Sequence, residues 1–492
     1  MHAPSSPAAL DHRDIKKILF GIVTAMFLAA LEQTIVATAL PSIGRDLGDV
    51  EHMSWVVTAY LVASTTVTPL YGKLSDIHGR RIVLMTGIAV FIIGSVACAL
   101  APTMLTLIAA RALQGLGGGG LLALAQTIIG DIIPPRERGR YQVYIASVFV
   151  ISSLLGPVLG GLATEHLHWS VIFWINLPLG FLAYLSTSHA LRKLPRREKK
   201  HALDIPGAML MTSATLVLLL ALSWGGIRFP WSGPEILGLL ALSAILCGLL
   251  VHRLRTAPEP LIPADLLRNP VVRWGILAGC CGMGTFIGLT IYVPLYLETV
   301  HRLSATDSGL ALMPLMLGTV VGATLSARIM THVAHYRRLP AVSLLGAMTG
   351  TAVLAWNPHG LSLPTVQALL GILGIGVGML FPVTTVAVQN AVTPHQLGTA
   401  TGMANFFRQL GGALVVAVFG AIVLNAFAGT GRDVGFEALV ELAGRGGSAD
   451  VFSGVFAAAS LGLFFAWAFI LRMPELPLAG RAKHAAESVI AD

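Results

Sequence analysis

Residues 31–41 read LEQTIVATALP and set an ionisable side chain, Glu32, inside the first long apolar run of the chain. A charged group at membrane depth costs at least about 2.5 kcal/mol, so such a residue usually has a partner or a task. The run around it, residues 18–40, is the first of many. Hydrophobic residues make up 55% of the chain and charged residues 11%, with a mean hydropathy of +0.77. An ordinary soluble domain carries about 25% charged residues. Too few charges are present to cover a water-soluble surface, and the solvent this composition fits is a bilayer.

Apolar runs long enough to span, about 20 residues each, fall at 18–40, 54–71, 82–101, 104–129, 141–163, 170–190, 205–224, 235–251, 272–297, 308–329, 340–356, 362–388, 399–427 and 452–471. The prediction is an all-α polytopic membrane protein with 14 transmembrane helices. Loops assigned alternately to two sides put most Lys and Arg on one of them, beginning with Arg13, Lys16, Lys17, Lys73, Arg80, Arg81, Arg136, Arg138 and Arg140. The other side holds Arg45, Arg228, Arg302, Arg432 and Arg445, while Arg111 and Arg408 fall within spans. The positive-inside rule then places both termini in the cytoplasm of a cell (bacterial inner) membrane, with the chain crossing many times. Lys16, Lys17 and Ala37-Thr38-Ala39 imitate a signal peptide, but Glu32 interrupts the run, and cleavage would leave an odd number of spans.

The spans group into an N-terminal six-helix bundle over 18–190, an inserted helix pair over 205–251 and a C-terminal six-helix bundle over 271–471. Residues 1–17 and 472–492 form the predicted cytoplasmic ends. The net charge of +8 lies in short loops that orient helices, so no nucleic-acid partner is expected. Cys98, Cys247, Cys280 and Cys281 sit in apolar runs without metal-ligand spacing and are expected to pack. His332 and His335 lack a third ligand, so no metal is expected. No GxxxxGK[ST] run is present to hold nucleotide phosphates. No constellation of nucleophile and base shares one depth, which argues against an enzyme, and no cofactor is implied.

Four stretches carry more information. Residues 72–84, GKLSDIHGRRIVL, form the predicted loop between spans two and three, with Gly72 and Gly79 for close approach and a tight turn, and Asp76 placed to receive backbone N–H groups. Residues 107–120, LIAARALQGLGGGG, set Arg111 and Gln114 before a glycine run that lets helices pack closely in lipid. Residues 156–161, GPVLGG, combine Gly156, Pro157, Gly160 and Gly161 at a bend in span five. Residues 169–180, WSVIFWINLPLG, place aromatics at an interface and Asn176 inside a span.

In this order the motifs resemble the major facilitator superfamily, specifically its fourteen-helix drug:proton antiporter family. GKLSDIHGRR is similar to the superfamily's loop between helices two and three, LIAARALQGLGGGG to its helix-four pattern, and LLGPVLGG to the helix-five pattern of antiporters. LEQTIVATALP resembles the family's first-helix signature, with Glu32 where the family commonly has Asp, and Asn405 to Gly412 resemble its span thirteen. The resemblance covers about residues 18–471. It implies proton-driven multidrug export of hydrophobic or amphiphilic compounds by alternating access, with the proton gradient as the only energy source. It also implies that Gly72, Asp76, Gly79, Arg80 and Asp131 form a conformational gate at the cytoplasmic face.

Residue counting sharpens one pairing. Glu32 lies roughly 12 Å below the outer end of span one and Arg111 roughly 10 Å below that of span four, at about 1.5 Å per residue. Their shared depth predicts an ion pair that couples to protons, or alternatively one that only steadies the bundle. Gln33, Gln114, Asn176, Asn405, Arg408 and Gln409 are the candidate cavity or substrate residues, with Trp55, Tyr60, Phe286, Tyr292 and Phe406 as possible aromatic lining. Asp204 reads as an N-cap and Glu298 as interfacial. The expected partners are a small amphiphilic substrate, neutral or monovalent rather than dicationic, together with protons and the lipid bilayer. An exporter of an endogenous metabolite, siderophore or lipid is the alternative, and a membrane-embedded enzyme or sensor a remote one. Residues 425–450 read as a long outer loop with a short helix over 436–442.

Overall fold

The computed structural model describes residues 12–49, 52–193, 203–226, 228–330, 332–333, 335–428 and 448–478. The helix expected over 436–442 lies outside them. In lipid a backbone N–H or C=O finds no water to bond, so spans satisfy their polar backbone internally as helices. Among the described residues the single β pairing is one bridge between Gly225 and Phe229.

Fourteen long helical segments follow one another among the described residues. The first six are α1 (His12–Leu47), α2 (Trp55–His78), α3 (Arg80–Ala99), α4 (Met104–Ile132), α5 (Pro135–His166) and α6 (Val171–Ala190). Next come α7 (Ile205–Trp224) and α8 (Pro234–Thr256). The last six are α9 (Pro270–Val300), α10 (Asp307–Met330), α11 (Arg338–Trp356), α12 (Leu363–Asn390), α13 (Leu397–Ala428) and α14 (Ser448–Arg472). Thirteen of them are long and apolar enough to cross a bilayer. The exception, α2, has 24 residues but is rich in Ser and Thr. Ser64, Thr66 and Thr68 return their hydroxyls to carbonyls three or four residues back, which leaves no unpaired donor for lipid to meet.

The helices outrun the apolar runs that announced them. α1 continues to Leu47 and takes Arg45 and Asp46 into its last turn. The expected loop at 72–84 is a second correction: α2 continues through GKLSDIH to His78, α3 begins at Arg80, and Gly79 alone makes the turn, at φ 87°. Apolarity ends where the slab ends, whereas helical hydrogen bonding stops only where the backbone is forced out of register. A positive φ at the junction is cheap for glycine and costly for other residues.

Within the first six helices, α1 packs on α5 and α6, and α4 lies between α2 and α3. The glycines of α4 make that wedge possible. A side chain on Gly117 would overlap the backbone of Phe91 in α3, and one on Gly119 would overlap Ser64 in α2. In α5, Gly156 and Gly160 meet Thr34 and Thr38 of α1 the same way, whereas Gly161 faces open space. In the last six helices, α10 and α11 pack on α12, and α9 packs on α13 and α14. The two bundles meet where α2 lies on α13 and α5 on α10. The pair α7–α8 sits outside this frame, with α7 against α2 and α13, and α8 against α7. Asp204 caps α7 by accepting the Gly207 N–H at 3.1 Å, and its carboxylate also meets Arg253 near the end of α8 at 2.9 Å.

Candidate functional site

Four helices of the first bundle converge on Glu32. Thr103 caps α4 and fixes its start, which puts Arg111 two turns in. One guanidinium nitrogen, Nη1, donates to Glu32 Oε1 and to Gln114 Oε1, while Nε donates to the Val56 carbonyl of α2 at 2.8 Å. The other carboxylate oxygen, Oε2, accepts from Nδ2 of Asn176 in α6. Ser95 of α3 closes the ring by accepting from Gln114 Nε2 at 2.8 Å and from Asn176 Nδ2 at 3.3 Å. The Tyr60 ring lies 4.5 Å below the guanidinium carbon.

This pair is sealed. The side chains of Glu32 and Arg111 are 0% and 1% exposed, so neither water nor a ligand touches the carboxylate in this conformation. Desolvating two charges costs several kcal/mol each, which excellent geometry and further hydrogen bonds must offset. Around the pair, Asn176 Oδ1 is buried with no partner among the described residues. Gln114 and Asn176, expected at the cavity, therefore lie in the same network as Glu32. Gln33, one residue on, points to the exposed side of α1.

A second cluster ties the two bundles together at the end that carries the basic loops. Asp76 near the end of α2 accepts the backbone N–H groups of Gly398 and Thr399 at 3.0 and 2.7 Å and the Thr399 hydroxyl at 2.7 Å. A carboxylate there completes orphan donors at the N-terminus of α13 and meets the positive end of its dipole. Arg80 holds Asp76 at 2.6 Å and Asp131 of α4 at 2.8 Å. Asp131 is thus one arm of an acid–base–acid bridge. Gly72 faces Gly398 so closely that a Cβ would overlap its carbonyl oxygen. Gly72→Val is expected to hold this end open: a cysteine placed at Ala327, where α10 meets Gly139 of α5, should react several-fold faster with a membrane-impermeant maleimide than in a Gly72 background. An unchanged labelling rate would count against the contact being part of the closure.

Just inside this bridge sits a set of amides, two of which, Gln126 and Gln389, sequence reasoning missed. Gln389 of α12 donates to the Gln126 carbonyl of α4 at 3.0 Å, and Asn405 of α13 donates to the Gln126 side chain at 2.8 Å. Thr65 of α2 donates to Gln409 at 2.8 Å. Asn405 and Gln409, expected as substrate contacts, thus bridge the two bundles in this state. Gln126 and Gln389 were findable as lone amides inside apolar runs, a placement costly enough in lipid to ask for a partner.

Arg408 stands apart from both clusters. It is 8% exposed, between α9, α12 and α13, and its Nη2 donates to Thr384 and Thr385 at 3.3 and 2.6 Å. The aromatics divide: Tyr60 and Tyr292 are buried, the latter against Phe419, while Trp55 meets Trp224 of α7 edge-on at 5.7 Å and Phe286 meets Phe381 at 6.3 Å. Phe406 is buried beside Phe407. Glu298 accepts from Ser308 at 2.9 Å, and His335 pairs with Glu475 at 3.0 Å outside any helix.

Two six-helix bundles in contact with one another, one carrying a sealed charge network, are the architecture of a polytopic membrane transporter. The Major Facilitator Superfamily model matches residues 22–416, and the chain belongs to that family. It is similar to Multidrug resistance protein 3 of Bacillus subtilis, at 33% identity over 89% of this chain and 85% of that one. The Multidrug transporter protein MdtP of the same organism is 33% identical over 84% and 76% of the two chains. Among solved structures, the human organic anion transporter MFSD10 superposes with a TM-score of 0.64 over 91% of this chain and 99% of that one, at 19% identity, a likeness of fold alone. The protein is a multi-pass membrane transporter of small molecules and not an enzyme.

Proposed function

We propose that this transporter exports hydrophobic or amphiphilic compounds in exchange for protons, by alternating access, with both termini in the cytoplasm of a bacterial cell. The names of the Bacillus relatives support the substrate class, and the concentration of Lys and Arg at one end supports the orientation. The observation that carries the coupling is the sealed network around Glu32.

When Glu32 is ionised, Arg111 and Asn176 hold one carboxylate oxygen each. A proton removes the charge that binds Arg111. If the Asn176 amide then turns over, its Oδ1, buried without a partner among the described residues, accepts the new carboxyl O–H, at the cost of the Nδ2 bonds to Glu32 and Ser95. The released guanidinium loosens α1 from α4, and the bundle changes the shape it presents to its neighbour. Because the carboxylate is enclosed, proton and substrate exclude one another through helix position and not by direct competition. Each proton moving inward contributes about 2.3 kcal/mol per 100 mV.

The test uses sealed inside-out vesicles containing the full chain and a fluorescent amphiphilic amine. Uptake should collapse on adding a protonophore, and substrate addition should move protons the opposite way. Uptake indifferent to the protonophore, or recovery of a covalently altered ligand, would overturn the proposal.

A further inference from the structure

The sealed pair of the first bundle sums to zero charge, but the second bundle holds a buried cation without an anion. Arg408 lies eleven residues into α13, roughly 16 Å from its start at about 1.5 Å per residue, which is close to mid-depth. Its side chain pairs with no carboxylate among the described residues. Nη2 rests on two threonine hydroxyls, and Nε and Nη1 have no acceptor there. A guanidinium carries five N–H donors in a planar fork that fits carboxylate, sulfonate or phosphate oxygens two at a time. Opposite Nε stands Gly279 of α9, where a methyl group would come to 3.2 Å, so the missing side chain lets the α9 backbone lie close beside the guanidinium. Phe381 of α12 lies 5.8 Å from the guanidinium carbon and supplies an aromatic wall beside the charge.

We infer that Arg408, with Thr384 and Thr385, is a subsite for the acidic group of an amphiphilic substrate, with the apolar body of that ligand lying toward Phe381. The inference rests on the export function proposed above and names a ligand class for it. Three observations point the same way. The cation is buried, so its charge is not dissipated in water. The hydroxyls orient it without neutralising it. Two of its three nitrogens have no acceptor among the described residues. An anion bound there brings the buried charge of the second bundle to zero, as Glu32 does for Arg111 in the first. A small inorganic anion shares the same chemistry, and competition separates the two sources.

The experiment measures binding of pyrenebutyrate, its primary amide and the matching trimethylammonium compound to the purified full chain, by pyrene fluorescence in gluconate buffer. Hydrogen bonds to charged groups predict that the carboxylate binds about tenfold more tightly than the amide. Arg408→Gln should bring that ratio near one, and Arg408→Lys should keep part of it. Thr385→Val, which removes one hydroxyl and leaves the cation, should narrow the ratio several-fold and serves if Arg408→Gln does not fold. Equal binding of carboxylate and amide by the wild type, or a ratio unchanged in the variants that fold, overturns the inference. So does displacement of pyrenebutyrate by chloride and not by gluconate, since the position would then belong to a small inorganic anion. Proton-linked movement of the amide and the cation without preference for the carboxylate removes this inference alone. Absence of proton-linked movement for all three removes the export proposal beneath it.

Discussion

Glu32→Gln is expected to abolish gradient-driven accumulation of substrate while the protein still reaches the membrane folded. The substitution keeps the length and planar shape of the side chain, and its amide oxygen can still accept from Asn176 Nδ2. Arg111 keeps the Val56 carbonyl and Gln114 as acceptors. What is lost is the negative charge and the site at which a proton can arrive. Uptake in inside-out vesicles should fall to the level of protonophore-treated wild type, and downhill equilibration should persist. Glu32→Asp keeps a titrating group but withdraws it by one methylene from Arg111, so partial coupling is expected. Undiminished gradient-driven uptake by Glu32→Gln would refute the assignment and leave the pair as a bundle brace.

Arg111→Met is expected to destabilise the fold as well as stop coupling. Removing one partner of a buried pair leaves the other charge uncompensated, at about 3–5 kcal/mol, and here the abandoned group is fully enclosed. Glu32 escapes part of this cost by holding a proton permanently, which fixes the transporter in its proton-loaded form and also stops coupled export. The double variant Glu32→Gln/Arg111→Met carries no unpaired charge and should unfold at a higher temperature than Arg111→Met alone. Thermal unfolding of the detergent-purified single and double variants gives the coupling between the residues directly. Additive destabilisation would mean that the pair contributes nothing as a pair.

Much of this architecture is legible in the residues themselves. Counting apolar runs and tracking Lys and Arg suffices to order the spans, because lipid admits few alternatives to a helix. Counting residues from span ends is enough to bring Glu32 and Arg111 to one depth, since a helix rises by a constant increment per residue. Which way a polar residue faces is harder to read. A helix that is apolar all round has no pattern to mark its inner face, so Gln114 and Asn176 read equally well toward a cavity or toward Glu32. The amide set at Gln126, Gln389 and Asn405 joins residues up to 279 positions apart, a distance over which one sequence holds no register. Helix ends past the membrane are hidden for a related reason: the apolar signal stops at Tyr71, but α2 runs on to His78.

The cap that Asp76 places on α13 joins the secondary structure of one bundle to the position of the other. The first turn of that helix is finished only while the basic end is closed. When the bundles part there, Gly398 and Thr399 lose their acceptor, and the turn is left to fray. Losing a helix cap costs about 0.5–2 kcal/mol, within reach of the about 2.3 kcal/mol that one proton supplies at 100 mV. Amide hydrogen exchange at residues 398–399 should therefore quicken under conditions that favour opening at this end. Those two amides would serve as an internal clock for the transport cycle, read without any label.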